Sequence, residues 1–446
     1  MKKLLFLLLC FALPAMAAEK FTAAQLIALA NAHDSGLGAA VEATFDAKDL
    51  KAGTAWVGHG PDFFFATEAA SQPMLVIDDG TVAPMQVVSG AGPPVWYAVG
   101  HAEPVGTLHS FHYLIDGKSF GGRLDLPAYA PLWYPQPGAT SGTLSEKTVH
   151  TSKIYEGMKS NYWIYVPAQY DAKTPAALMV FQDGGGYNNR GGDHGVLDAI
   201  DNLIALKKIP VMICVFINPG SVVDAPGTAT YALVKDHSER MHRTLDDAMR
   251  STLYDTVSDR YDRYLRDEIL AEVWAKYNLR KDAYSRGITG LSSGGICSFN
   301  AAWQMPDQVA QFSRVLTWIG SFTSIQWKER ADVPDGGQDY PDKVLREAHR
   351  NVRVWLQDGA NDMENPGWGS WPLANIRMAN ALKTRGYDFH FSFGQGTHNP
   401  SHGAAEFPEE MIWLWRDYDA AKAEQVFEME PEERTKPLFR VGIVNR

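Results

Sequence analysis

Cysteine is almost absent: the 446 residues hold three. Cys10 falls in the N-terminal apolar run, Cys214 in VMICVFI and Cys297 just after a glycine-rich turn. So few cysteines exclude a disulfide framework, and the apolar settings of Cys214 and Cys297 point to two buried thiols rather than a bridge. Past the N-terminus no run is long and apolar enough to span a bilayer. An excess of positive charge is also missing: Lys and Arg number 41 against 52 Asp and Glu, a formal net charge of -11. That balance argues against nucleic acid as a partner, which requires a cationic footprint. No His, Cys, Asp and Glu pattern has metal-ligand spacing, so no metal and no cofactor are expected. No Gly-Lys-Ser/Thr follows a glycine run, which removes a phosphate loop. Internal repeats and low-complexity tracts are missing as well.

What is present divides the chain into four parts. MKKLLFLLLCFALPAMA (1–17) has a basic start, a short apolar stretch and a small-x-small end, the pattern of a cleaved signal peptide. Export to the periplasm or the medium is therefore expected. Residues 18–140 begin with an amphipathic helix over 21–31, Thr22 serving as N-cap. Short apolar runs follow (DFFFATEA, PMLVIDDG, PPVWYAVG, SFHYLIDGKSF), separated by Gly, Pro and Asp-Gly turns, and these read as a small β-sandwich. PLWYPQPGATSG (131–142) reads as a linker. From 145 to 423 strand-like runs alternate with helical ones, including a long helix around SDRYDRYLRDEILAEVWAKY. Such alternation predicts an α/β three-layer sandwich, a mostly parallel sheet covered on both faces. The charged tail 424–446 carries no readable role.

The chemistry concentrates in three strand ends. Gly290-Leu291-Ser292-Ser293-Gly294 fits G-x-S-x-G between a short strand and a helix. A nucleophile there sits on a strained turn, and the flanking glycines remove Cβ clashes. Glycine stands two residues before and two after Ser292, so the frame selects Ser292 over Ser293. Serine is a weak nucleophile without a base held by an acid. VRVWLQ runs into Asp358, Asp362 and Glu364; Asp362, past the glycine turn, is the expected acid, Glu364 the reserve, and Asp358 a strand-end cap. DFHFSFG runs into His398 and His402. His398 comes first after the glycine turn and is the expected base; His402 is the alternative and otherwise lines the site. ALMVFQ ends in Asp183-Gly184-Gly185-Gly186, whose N–H groups can approach a substrate oxygen without side-chain obstruction. Gly184 or Gly185 is paired with the Ser293 N–H as oxyanion donors. Tyr187, Trp318, Trp368 and Trp371 stand near these loops, where rings stack on sugars or phenols or simply pack the core.

With those stretches in place, the chain resembles the enterochelin-esterase-like and feruloyl- or acetyl-xylan-esterase-like α/β-hydrolases of the carbohydrate esterase family one neighbourhood. VFQDGGGYNN, VFINPG, YDTVSDRYDRYLRDEIL, GITGLSSGGICSFNAAWQMPD, VRVWLQDGANDMEN and GTHNPSHG carry the resemblance, in the expected order over about 150–420. It implies an α/β-hydrolase fold with a small immunoglobulin-like β-sandwich in front. It implies a triad of Ser292, Asp362 and one of His398 or His402, without a cofactor. The implied activity is ester hydrolysis on carbohydrate-linked or aromatic (feruloyl, acetyl) esters, with siderophore esters as the alternative. A serine peptidase and a non-catalytic glycan-binding protein are the more distant readings.

Overall fold

The computed structural model describes residues 20–442 apart from 79, 89–92, 105–107, 193, 306–310 and 326–335. The leader expected at 1–17, with Cys10, lies outside the described residues. The chain folds as two units. The first runs up to Ala102 and takes in Ser110–Arg123; the second comprises Glu103–His109 and everything from Leu124.

The second unit is built on one sheet. Its strands are β1 (Thr148–Thr151), β2 (Lys159–Val166), β3 (Ala177–Gln182), β4 (Met212–Ile217), β5 (Arg286–Leu291), β6 (Arg314–Trp318), β7 (Arg353–Gly359) and β8 (Asp388–Gly394). They lie in the order β1-β2-β4-β3-β5-β6-β7-β8, and Thr143–Leu144 adds a ninth strand beside β2. From β4 onward every neighbour is parallel; β1 and β2 are antiparallel additions at one edge. Every residue of ALMVFQ and MICVFI is buried. Helices cover both faces of the parallel strands, so apolar side chains are wanted on both sides and the runs are continuous rather than alternating. The helices that matter for the site are α1 (Leu197–Ala205), α2 (Ala229–Met241), α3 (Leu245–Tyr254), α4 (Ser293–Trp303), α5 (Trp371–Thr384) and α6 (Ser401–Leu414).

The long helix expected after residue 258 runs as one helical stretch from Arg260 to Trp274, with a π-helical turn at Leu265–Ile269 inside it. Two details depart from the sequence reading. The stretch read as a linker is packed. Trp133 is buried, stacked on Tyr129 at 4.8 Å, and Asn202 in α1 bonds the carbonyls of Leu132 and Tyr134 at 2.8 Å. The tail is also anchored: Phe427 and Met429 are buried, and Phe439 lies against Phe391 at 5.1 Å. Cys214 and Cys297 are buried free thiols, and burial pushes Cys214 well above the ordinary thiol range.

Among its described residues the first unit holds two four-stranded sheets and three helices. Phe63, Phe64 and Phe65 are all fully buried because their strand, Asp62–Glu68, is covered on both faces. Phe65 meets Phe111 of the other sheet at 4.7 Å, while Phe64 packs with Leu26 and Val41 of the helices. Thr22 caps Ala23–Asn31 through a capping box with Gln25.

Candidate active site

Ser292 stands between β5 and α4 with φ 59° and ψ −119°, a conformation that costs a non-glycine residue on the order of 1–3 kcal/mol. Its surroundings hold it there. The Ser292 N–H donates to the Trp318 carbonyl at 2.9 Å, and its own carbonyl accepts from the N–H groups of Gly295 (2.9 Å) and Ser321 (3.1 Å). A Cβ on Gly290 would lie 2.5 Å from the Gly294 backbone, so that position admits only glycine. Gly294 is less confined: a Cβ there would lie 3.1 Å from an Asp183 carboxylate oxygen.

The result is an aimed hydroxyl. Ser292 Oγ lies 2.9 Å from His398 Nε2, and His398 Nδ1 lies 2.5 Å from Asp362 Oδ1. The chain order is Ser, Asp, His, each on the loop after a parallel strand: β5, β7 and β8. Asp362 is 5 % exposed, and the Met363 N–H also donates to its Oδ1. Trp371, buried at the start of α5, sets its ring edge-on to His398 at 5.5 Å and donates Nε1–H to Ser321 Oγ at 3.1 Å. Ser321 Oγ in turn lies 3.2 Å from Ser292 Oγ.

The other histidine of the loop is elsewhere engaged. His402 is fully buried, its Nδ1 accepting from Gln357 Nε2 at 2.8 Å and its Nε2 bonded to Glu406 Oε1 at 3.0 Å. Both nitrogens are occupied, so it neither serves as base nor lines a substrate site. Glu364 is exposed in the short strand Glu364–Asn365 and does not meet His398. The aromatic set also divides. Tyr187 and Trp318 are buried against one another at 5.4 Å, and Trp318 gives its Nε1–H to Glu410. Trp371 is spent on His398 and Ser321. These three pack and position; they are not free platforms for a ring. Trp368 alone is part-exposed, with the Arg243 guanidinium 4.5 Å over its face. Among the oxyanion candidates, Gly185 is corrected: its N–H donates to Asn218 Oδ1 at 2.8 Å. Gly184 must be glycine, since a Cβ would sit 2.4 Å from the Ile217 nitrogen.

The Esterase family model, described as "Putative esterase", matches residues 155–414. The chain belongs to this esterase family. It is a carboxylic ester hydrolase. Among solved structures, the ferric enterobactin esterase from Salmonella typhimurium is similar at 14% identity and a TM-score of 0.50, covering 81% of this chain and 96% of its own. An enterobactin esterase from Shigella flexneri follows at 17% identity and TM-score 0.49, covering 83% and 98%. A ferulic acid esterase from Anaeromyces mucronatus gives 14% and 0.45, covering 64% and 94%. No curated protein matches. Among the described residues of the esterase, no helix is long and apolar enough to cross a membrane, and no group of three or more His, Cys, Asp or Glu could hold a metal ion.

The esterase carries a second carboxyl behind Asp362. Asp358, the penultimate residue of β7, is fully buried, and its Oδ1 accepts the Gly359 N–H at 2.7 Å. Among the described residues, Asp358 Oδ2 and Asp362 Oδ2 are both buried without a hydrogen bond of normal geometry, and the Asn375 amide beside Asp358 offsets its burial only in part. Burial, with a hydrogen bond to Asp362 and that carboxylate's charge, pushes Asp358 well above the ordinary carboxylate range. One proton kept on Asp358 and donated as a hydrogen bond to Asp362 Oδ2 satisfies both oxygens and leaves the Asp362 carboxylate facing His398. A carboxyl raised in the folded state adds stability below its unfolded value and costs stability as pH rises above it, by about 1.4 kcal/mol per pH unit until the folded value is reached. Asp358→Asn should therefore melt higher than the native esterase at pH 8, with the gain fading toward pH 4. Equal melting differences at the two pH values would refute a protonated Asp358.

Several supporting residues of the esterase escaped sequence reading. Arg250 in α3 is bidentate to Asp183, with Nε at 3.1 Å and one Nη at 2.8 Å, pinning the glycine loop. Asp255 is buried beside the hydroxyls of Ser293 and Ser251 and is pushed up to about 6 by burial. Ser321 alone had a readable signal, because it follows an apolar strand as Asp362 and His398 do. Arg250 and Asp255 sit on helical stretches whose spacing says nothing about a site.

Proposed function

We propose that this protein is an exported serine carboxylesterase working through Ser292, His398 and Asp362. The observation that carries the reading is the continuous relay Ser292 Oγ–His398 Nε2–His398 Nδ1–Asp362 Oδ1, at 2.9 and 2.5 Å, on a strained strand-to-helix turn. In this reading Ser292 attacks the ester carbonyl while His398 takes its proton. The tetrahedral oxyanion is met by the backbone N–H groups of Ser293, at the N-terminus of α4, and Gly184. His398 then protonates the departing alcohol and activates the water that frees the acid. Asp362 keeps the imidazole oriented and stabilises it when charged. The leader-like N-terminus supports export, and the paired four-stranded sheets of the first unit support an immunoglobulin-like kinship for it.

For the substrate we propose aromatic acyl esters, carbohydrate-linked in the feruloyl manner. Trp368 offers a part-exposed ring on the loop between Asp362 and Trp371. A siderophore ester is the second reading, favoured by the Arg243 guanidinium over that ring, which suits an acyl group carrying phenolate charge. Purified protein assayed on feruloyl, acetyl-xylan, glucuronoyl and catecholate siderophore esters separates these. Aromatic esters should lead acetyl esters by about tenfold or more in kcat/KM, and Arg243→Ala should hurt charged aromatic acyl groups more than neutral ones. Turnover of an aminoacyl anilide without any ester would overturn the esterase reading in favour of a peptidase.

A further inference from the structure

Thr397 immediately precedes His398, and one distant carboxylate holds both of its polar groups. The Thr397 N–H donates to Asp125 Oδ1 at 2.7 Å, and its hydroxyl to Asp125 Oδ2 at 2.5 Å. Asp125 is only 6 % exposed. It lies near the end of the strand Lys118–Pro127, well before residue 155 where the family match begins. It nevertheless belongs to the second unit, together with Leu108. Leu108 closes on the same loop: its Cδ1 lies 3.1 Å from where a Cβ on Gly396 would stand. Two turns into α6, Phe407 meets Trp133 at 6.4 Å. The segment that carries His398 is thus gripped from residues 108, 125 and 133.

Burying a carboxylate is costly unless its oxygens are bonded. Among the described residues no Lys or Arg pairs with Asp125, so Thr397 supplies the compensation. A surface turn would not need this. The loop does, because the His398 side chain is 23% exposed, with the Trp371 ring edge-on to it at 5.5 Å. Asp362 fixes the imidazole at Nδ1; the backbone beneath it must be fixed separately for Nε2 to stay on Ser292.

We propose that Asp125 is a positioning residue for the histidine base, acting through Thr397, and that the esterase site therefore includes chain from outside its matched region. The inference rests on His398 being the base.

The test uses the full chain with 4-nitrophenyl acetate, every kcat normalised to the folded fraction from a thermal melt. Asp125→Ala should lower kcat by about 30- to 100-fold and leave KM within about twofold, since loop misplacement affects the proton transfer rather than ester binding. Asp125→Asn should recover most of the loss, because its Oδ1 can accept the Thr397 N–H and its Nδ2 can donate to the hydroxyl. Thr397→Val should lower kcat by less than Asp125→Ala and add little on top of it, as both changes remove the hydroxyl–carboxylate bond, with Asn399→Ala as the control for the second bond that the Thr397 hydroxyl accepts. If Asp125→Ala does not fold, the Asn and Val variants carry the test. Native kcat in Asp125→Ala, or in Thr397→Val where that variant decides, overturns the proposal. So does a multiplicative loss in the double variant, or an Asn variant as slow as the alanine one. Activity surviving in His398→Ala would instead overturn the proposed triad beneath it.

Discussion

Exchanging Ser292 for alanine removes ester hydrolysis, with kcat reduced by about 10⁴- to 10⁶-fold, while the protein keeps its fold. The structure separates the two effects. Ser292 is held by its backbone, through Trp318, Gly295 and Ser321, and these bonds survive the exchange. Among the described residues its hydroxyl bonds His398 and Ser321 Oγ. Loss of that oxygen deletes the attacking atom and little else, so melting should move by a few degrees at most. Ser293→Ala is the control: it keeps the N–H proposed for the oxyanion and loses a hydroxyl beside Asp255, so turnover should persist. The measurement is 4-nitrophenyl acetate hydrolysis with an active-site titration. Native turnover by Ser292→Ala would remove the nucleophile assignment outright.

The second large effect is a contrast between two histidines four residues apart. His398→Ala should cost about as much as losing Ser292, because nucleophile and base act as one unit, and should lower the melting temperature less than loss of His402 does, since the His398 side chain is 23% exposed and Asp362 keeps the Met363 N–H. His402→Ala should do the reverse. His402 and Glu406 are both buried, and among the described residues removing the imidazole leaves Glu406 with the Ser392 hydroxyl as its hydrogen-bond partner. Leaving a buried carboxylate short of its imidazole donor costs on the order of 1–3 kcal/mol or more, whereas the molecules still folded should turn over at the native rate. Melting curves paired with kcat per folded molecule read both. A stable, inactive His402→Ala beside an active His398→Ala would reverse the assignment.

That contrast also marks where sequence reading stopped. Ser292, Asp362 and His398 were legible because each follows a buried apolar strand and a glycine turn, and turn chemistry writes itself into local sequence. The parallel sheet was legible for the same reason, through runs such as ALMVFQ and MICVFI. The function of a side chain inside that frame was less so. Tyr187, Trp318 and Trp371 stand beside the strand-end loops as a substrate platform would, but the partners that hold them, Glu410 for Trp318 and Ser321 for Trp371, come from distant parts of the chain. Gly185 looked as open as Gly184 until Asn218, at the end of a neighbouring strand, claimed its N–H. The packed stretch 131–142 reads as a linker because Pro and Gly are conspicuous, while the side chain that ties it down, Asn202, lies far along the chain. Asp125 escaped entirely: nothing near it predicts a bond to a residue 272 positions away.

The glycines around the elbow bear on how such proteins are found. A Cβ at Gly290 would collide with the backbone of Gly294, one at Gly184 with β4, and one at Gly403 would lie 2.1 Å from the Trp318 ring. None of the three carries a reacting atom. In a saturation library screened for activity, all three columns would still come back as glycine, as sharply as serine at 292. Half of the signature used to spot a hydrolase is therefore a record of crowding, and a relative that has lost its chemistry but kept its packing will go on displaying those letters.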